Sequence, residues 1–259
     1  MRWLCLDYRR IAVVAVSLLL ACGSTGGALV TLPFEVGGVA RGAAGPMTIA
    51  SPTGWTITLT TALIALGPFY INHDPPDTQN FRNGTVIIEA TEQVVVDALD
   101  PQLHDMPGGA DGESGTAVAV EIGLFPPDAT QPGTLRQALS GNVGLIEGSA
   151  TRDGLTLVFS GPIVINQGLV TKTISLAGLE RVNGANVQLN FTACPQRLSL
   201  RVDPSGWFDQ VDFGSLLSGS GTSLNNGVYT WDATSTFLNQ LDQGVKGLSG
   251  VYSFTVAAR

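Results

Sequence analysis

The stretch Val143-Gly144-Leu145-Ile146-Glu147-Gly148-Ser149-Ala150-Thr151-Arg152-Asp153-Gly154-Leu155-Thr156-Leu157-Val158-Phe159-Ser160 decides the fold. Two apolar, β-branched runs flank a single Asp-Gly. That dipeptide tolerates the positive φ of a two-residue hairpin turn, whose twist matches the twist of paired strands. The segment therefore reads as a β-hairpin, with strands over 143–151 and 154–160.

Working outward, the same period of two recurs. Trp55, Ile57 and Leu59 alternate with Thr56, Thr58 and Thr60. Val118, Val120, Ile122 and Leu124 alternate with smaller or polar residues, as do Val187, Leu189 and Phe191, and then Leu198, Leu200 and Val202. Each pattern gives a strand with one dry face and one wet face. Less regular strands are expected over 46–50, 62–72, 84–90, 92–98, 162–166, 169–179 and 250–257. Asn83-Gly84, Asn183-Gly184 and Asn226-Gly227 supply further turn chemistry. Two segments carry a different period. Ser205 to Leu217 suits a short helix, with Asp203 or Ser205 as its N-cap, and Ser235 to Leu248 places Phe237, Leu238, Leu241 and Val245 on one helical face. The fold class is mainly β: an antiparallel β-sandwich over 34–259 with one or two short helices in the C-terminal third.

Composition narrows the function. The chain of 259 residues carries a net charge of −8. So acidic a chain has no electrostatic footprint for nucleic acid. No phosphate loop, dinucleotide fingerprint, Cys-x-x-Cys, His-Glu-x-x-His or Gly-x-Ser-x-Gly occurs, so the chain reads as a binding protein and not as an enzyme, with a carbohydrate-active enzyme built on a carboxylate pair as the alternative.

The first residues have their own logic. Arg2, Arg9 and Arg10 precede the apolar run Ile11 to Ala21, a signal-peptide pattern too short to span a bilayer. That run ends in Leu19-Leu20-Ala21-Cys22-Gly23, which resembles the lipobox of bacterial lipoproteins. The resemblance implies a signal peptide over 1–21 and lipid on Cys22. Gly23 in place of Asp implies an outer-membrane lipoprotein, facing the periplasm or the exterior. Removing three arginines and Asp7 with the signal takes the net charge from −8 to −10. Gly-rich residues 22–33 are expected to form a flexible tether. With Cys5 removed and Cys22 lipidated, Cys194 is the sole remaining thiol.

Two metal readings and a sugar reading stand beside a plain solvated surface. His73, His104 and Met106 offer imidazole and thioether ligands suited to copper, provided their strands end together. Asp105, Asp111 and Glu113, in the Gly-rich acidic stretch 97–115, offer oxygens suited to calcium. A carbohydrate-binding module would need at least one of Trp55, Trp207 and Trp231 exposed on a concave face. Gly54-Trp55, Leu66-Gly67-Pro68-Phe69-Tyr70 and Asp203 to Phe213 resemble uncharacterised periplasmic β-domain lipoproteins, some of them copper-associated. The four-cysteine pattern of one such group is missing here. The functional expectation is a membrane-anchored envelope protein that binds a ligand or protein partner, with copper handling and carbohydrate binding as alternatives.

Overall fold

The computed structural model describes residues 27–75, 84–127, 133–165, 181–247 and 250–259. In chain order the strands are β1 (Leu29–Leu32), β2 (Phe34–Gly38), β3 (Met47–Ala50), β4 (Thr56–Leu66), β5 (Phe69–Asn72), β6 (Val86–Ala90), β7 (Val94–Asp97), β8 (His104–Asp105), β9 (Ala110–Glu113) and β10 (Gly115–Gly123). They continue as β11 (Gly144–Arg152), β12 (Leu155–Ile163), β13 (Arg181–Phe191), β14 (Gln196–Val202), β15 (Thr222–Asn225), β16 (Val228–Trp231) and β17 (Tyr252–Ala258). Three helices, α1 (Thr134–Ala138), α2 (Ser215–Ser218) and α3 (Thr236–Val245), and a 3-10 turn at Pro204–Phe208 complete the set.

The strands form three sheets, ordered β1-β9-β6-β5-β10-β13, β15-β16-β12-β11-β4-β3 and β17-β14-β2-β8, with β7 paired to β4. The deciding hairpin is present: β11 and β12 pair antiparallel from Gly144↔Ile163 to Arg152↔Leu155. Asp153 and Gly154 hold φ of 51° and 80°, and Asn226-Gly227 repeats the device at 52° and 81°. One core cluster joins the sheets, running from Val30 to Phe254 in a sandwich-like, mainly β arrangement. The pairing is mixed as well as antiparallel, since β14 pairs β2 and β12 pairs β16 in parallel.

Several boundaries differ from the sequence reading, each for a local reason. Residues 29–32, assigned above to the tether, form β1, because alternate Val30 and Leu32 are buried while the strand pairs with β9. Pro33 then passes the chain from the first sheet into the third. Asn183-Gly184 lies inside β13 and makes no turn. Gly184 takes φ 81° near a register shift in the β10–β13 pairing, the local signature of a bulge. The helix expected over 205–217 is a 3-10 turn followed by a single α-turn. Asp203 is its cap, accepting from the Ser205 N–H at 2.9 Å. In α3, Ser235 Oγ accepts from the Phe237 N–H, and the apolar stripe faces the core. The five-residue α1 lies outside the C-terminal third and is too short to leave a periodic signal. The strand expected over 169–179 and the lipobox fall outside the described residues.

Candidate functional site

The structure places the candidate ligands as follows. His104 lies on β8 and lines a cavity with Val36 and Val96, whereas Met106 is 4% exposed, belongs to the core and borders a different depression. His73 follows β5 in another sheet, its Nδ1 3.0 Å from the Thr116 carbonyl oxygen. The copper set expected from His73, His104 and Met106 is thus spread over different surroundings: the two histidines belong to different sheets, and His104 and Met106 border different depressions. The acidic stretch is not a wrapping loop either, because much of it is strand. Asp105 pairs across to Glu35, Asp111 Oδ1 accepts from Thr31 Oγ1 at 2.7 Å, and Glu113 Oε2 accepts from the Gly27 N–H at 3.1 Å. Among the described residues no group of three or more His, Cys, Asp or Glu side chains is placed to hold a metal ion. Trp55, Trp207 and Trp231 are all buried, which removes the sugar-stacking platform.

What the structure does assemble is a cavity of about 360 Å³ at the seam between β2 and β7. Val94, Val95 and Val96 of β7 and Val36 of β2 wall it, Leu135 of α1 closes one side, and Asp97, Asp100 and His104 form its polar rim. His104 Nε2 stands 2.8 Å from Asp100 Oδ2. The backbone N–H of Gln102 donates to Asp100 Oδ1 at 2.9 Å. That bond, followed by the His104 contact, holds the Asp100 carboxyl below its ordinary value, so it is ionised at neutral pH. Asp97 Oδ1 accepts from the Leu99 N–H at 2.9 Å.

The rim loop, residues 98–103, is fixed from outside by two guanidinium groups. Arg41 Nη2 donates to the Leu99 carbonyl at 2.6 Å. Arg201 Nη1 donates to the Gly38 carbonyl at 3.0 Å and also to the Pro101 carbonyl. The Gly38 N–H donates to the Asp100 carbonyl at 2.7 Å. This close approach explains Gly37-Gly38 at the end of β2: a Cβ on either would collide with the Gln102 or Ala98 carbonyl oxygen. Sequence reasoning found His104 and missed Arg41, Arg201 and Leu135. The adjacent glycines were the available signal, since paired glycines at a strand end mark a place where another backbone comes near.

No family model matches the chain, and no curated protein matches it. A solved structure, MbnP from Methylosinus trichosporium, aligns at 12% identity and a TM-score of 0.37, over 89% of this chain and 99% of that chain. At that level of similarity nothing about the site transfers. No helix among the described residues is long and apolar enough to cross a membrane.

Proposed function

We propose that this chain is a lipid-anchored envelope protein of the outer-membrane type. In this reading its β-domain binds, without chemistry, a small cationic amphiphile at the β2–β7 seam. The observation that carries the reading is the composition of the cavity: a valine wall with two carboxylates and one imidazole at its mouth. A ligand with a short apolar body gains by leaving water along Val36, Val94 and Val96. Its ammonium head meets Asp97 and the ionised Asp100, and charge-assisted hydrogen bonds to carboxylates are about twice as strong as neutral ones. His104 fixes the position of Asp100 and supplies the rim's single ring donor or acceptor.

Octylamine against octanoate tests the polarity of the site. Octylamine is expected to shift the His104 ring signals in NMR with saturation, octanoate to leave them in place, and Leu135→Arg to abolish the response by filling the mouth. Equal responses to both ligands, or none to either, defeat the reading. The anchor is tested separately: Cys22→Ala is expected to move the protein from the membrane fraction to the soluble fraction, and a variant that stays on the membrane removes the anchoring proposal.

A further inference from the structure

We infer that the outer face of β1, β6 and β9 rests on the bilayer, against zwitterionic headgroups that carry a primary ammonium. This inference rests on the lipid anchor proposed at Cys22.

The chain is fixed to the domain earlier than its sequence suggests. The Gly27 N–H donates to Glu113 Oε2 at 3.1 Å and the Ala28 N–H to Ser114 Oγ at 2.8 Å, while the Ser114 N–H donates to the Ala28 carbonyl at 2.7 Å. Only residues 23–26 separate that attachment from Cys22. A fully extended chain spans at most about 3.6 Å per residue, so the lipidated residue lies within about 18 Å of Gly27. A domain of this size has a diameter of about 45 Å. The side that carries β1 is therefore the side that can meet the membrane.

That side has a surface suited to it. Leu29 is 86% exposed and Val86 38% exposed, with Ile87 half-buried beside them. They border an open groove of about 500 Å³ shared with Glu89, Asp111 and Glu113. The register aligns the polar groups: Glu89 and Thr31 both pair with Asp111, and Leu29 pairs with Glu113. Among the described residues no basic side chain lines the groove. Among them β1 is also the edge of its sheet, with Leu29 at that border.

The chemistry selects the lipid. Carboxylates repel anionic headgroups. The quaternary ammonium of phosphatidylcholine has no N–H to donate. The primary ammonium of phosphatidylethanolamine donates up to three hydrogen bonds to acceptors such as these, and Leu29 and Val86 then enter the apolar zone below. The interface layer is several ångströms deep, which suits side chains at one sheet edge and no insertion of backbone.

The test uses the lipidated full chain carrying Leu29→Trp, floated with vesicles whose phosphatidylcholine bears brominated acyl chains. The indoles of Trp55, Trp207 and Trp231 are buried, so added quenching reports on position 29. With phosphatidylethanolamine present, loss of most of the introduced indole's fluorescence is expected, with recovery in Glu89→Lys. Flotation without quenching overturns the inference and leaves the anchor standing, as does quenching that is equal without phosphatidylethanolamine. Absence of quenching with a dimer in sedimentation overturns it in favour of a second copy as the occupant. A lipid-competent wild-type chain that does not float overturns the anchor, and this inference with it.

Discussion

Two regions tie the elements of the fold together by different means. Around Phe213 the join, between the sheet of β4, β12 and β16 and the C-terminal helical segments, is largely aromatic. Its ring lies 5.6 Å from Trp55, 5.0 Å from Phe159, 5.9 Å from Phe208 and 5.2 Å from Phe237, centroid to centroid. Trp231 packs on Phe237 at 4.5 Å, and the Arg152 guanidinium lies over Trp55 at 4.3 Å. At the β2–β7 seam the join is polar, made by Arg41 donating to the Leu99 carbonyl and Arg201 to the Gly38 and Pro101 carbonyls. Rings can interlock until no void is left, whereas a guanidinium holds its partners at hydrogen-bond distance and fills little beyond that. The difference matches the cavity at the guanidinium-held seam and the complete burial of Phe213 and its ring neighbours. It also predicts that function and stability separate between them.

The largest effect belongs to the aromatic join. Phe213→Ala is expected to lower unfolding free energy by about 3–5 kcal/mol, read from urea denaturation, because a fully buried ring leaves a cavity its neighbours cannot close. A loss below about 1 kcal/mol would mean the rings are loosely packed, contrary to the typical cost of large-to-small core changes. Arg201→Ala comes next. It strips donors from the Gly38 carbonyl at the end of β2 and the Pro101 carbonyl of the loop, and should cost about 1.5–3 kcal/mol. It should also weaken octylamine binding, which Phe213→Ala should leave intact in the folded fraction. If both variants damage binding equally, the two regions are not independent.

A smaller effect concerns pH. Burial raises the Asp242 carboxyl above its ordinary value of 3.8, and the Lys246 contact at 2.9 Å only partly offsets this. Between that value and the raised one the folded state holds the extra proton. Stability therefore falls as pH rises through that window. Asp242→Asn should flatten this part of a stability profile; an unchanged slope would place the titration elsewhere. The carboxyls of Asp100 and Asp212 are lowered, Asp212 chiefly by the Trp55 indole N–H, so their contributions are present above the ordinary carboxylate range and fade as pH drops below it. The smallest stability effect is expected for His104→Ala, within about 0.5 kcal/mol for an exposed side chain, while octylamine binding is lost.

Strand identity was legible in the sequence wherever one face is dry. The alternations around Ile57 and Leu189, and the Asp153-Gly154 turn, survive intact. Sheet partnership was not legible. Nothing in Phe34-Glu35-Val36 says that β2 pairs in parallel with β14, some 160 residues away, because that register is set by core packing across the chain. Asn183-Gly184 shows the limit of turn chemistry: the same dipeptide serves a bulge when both flanks continue one strand. The candidate site was legible only at His104 and the acidic rim. Its apolar wall reads in sequence as ordinary strand, and its supporting arginines come from distant elements.

One further consequence follows from β1. Its four residues pair with β9 and lead through Pro33 into a different sheet. Any pull on the chain ahead of Gly27 therefore loads the Gly27 and Ala28 contacts with Glu113 and Ser114, and then this strand. Drawn along its axis, β1 loads its rungs to β9 together in shear; drawn sideways, it opens them one at a time. Beyond it the load divides between two sheets. The first strand among the described residues thus acts as a mechanical fuse, and the direction of the tension sets how much force it bears before it yields.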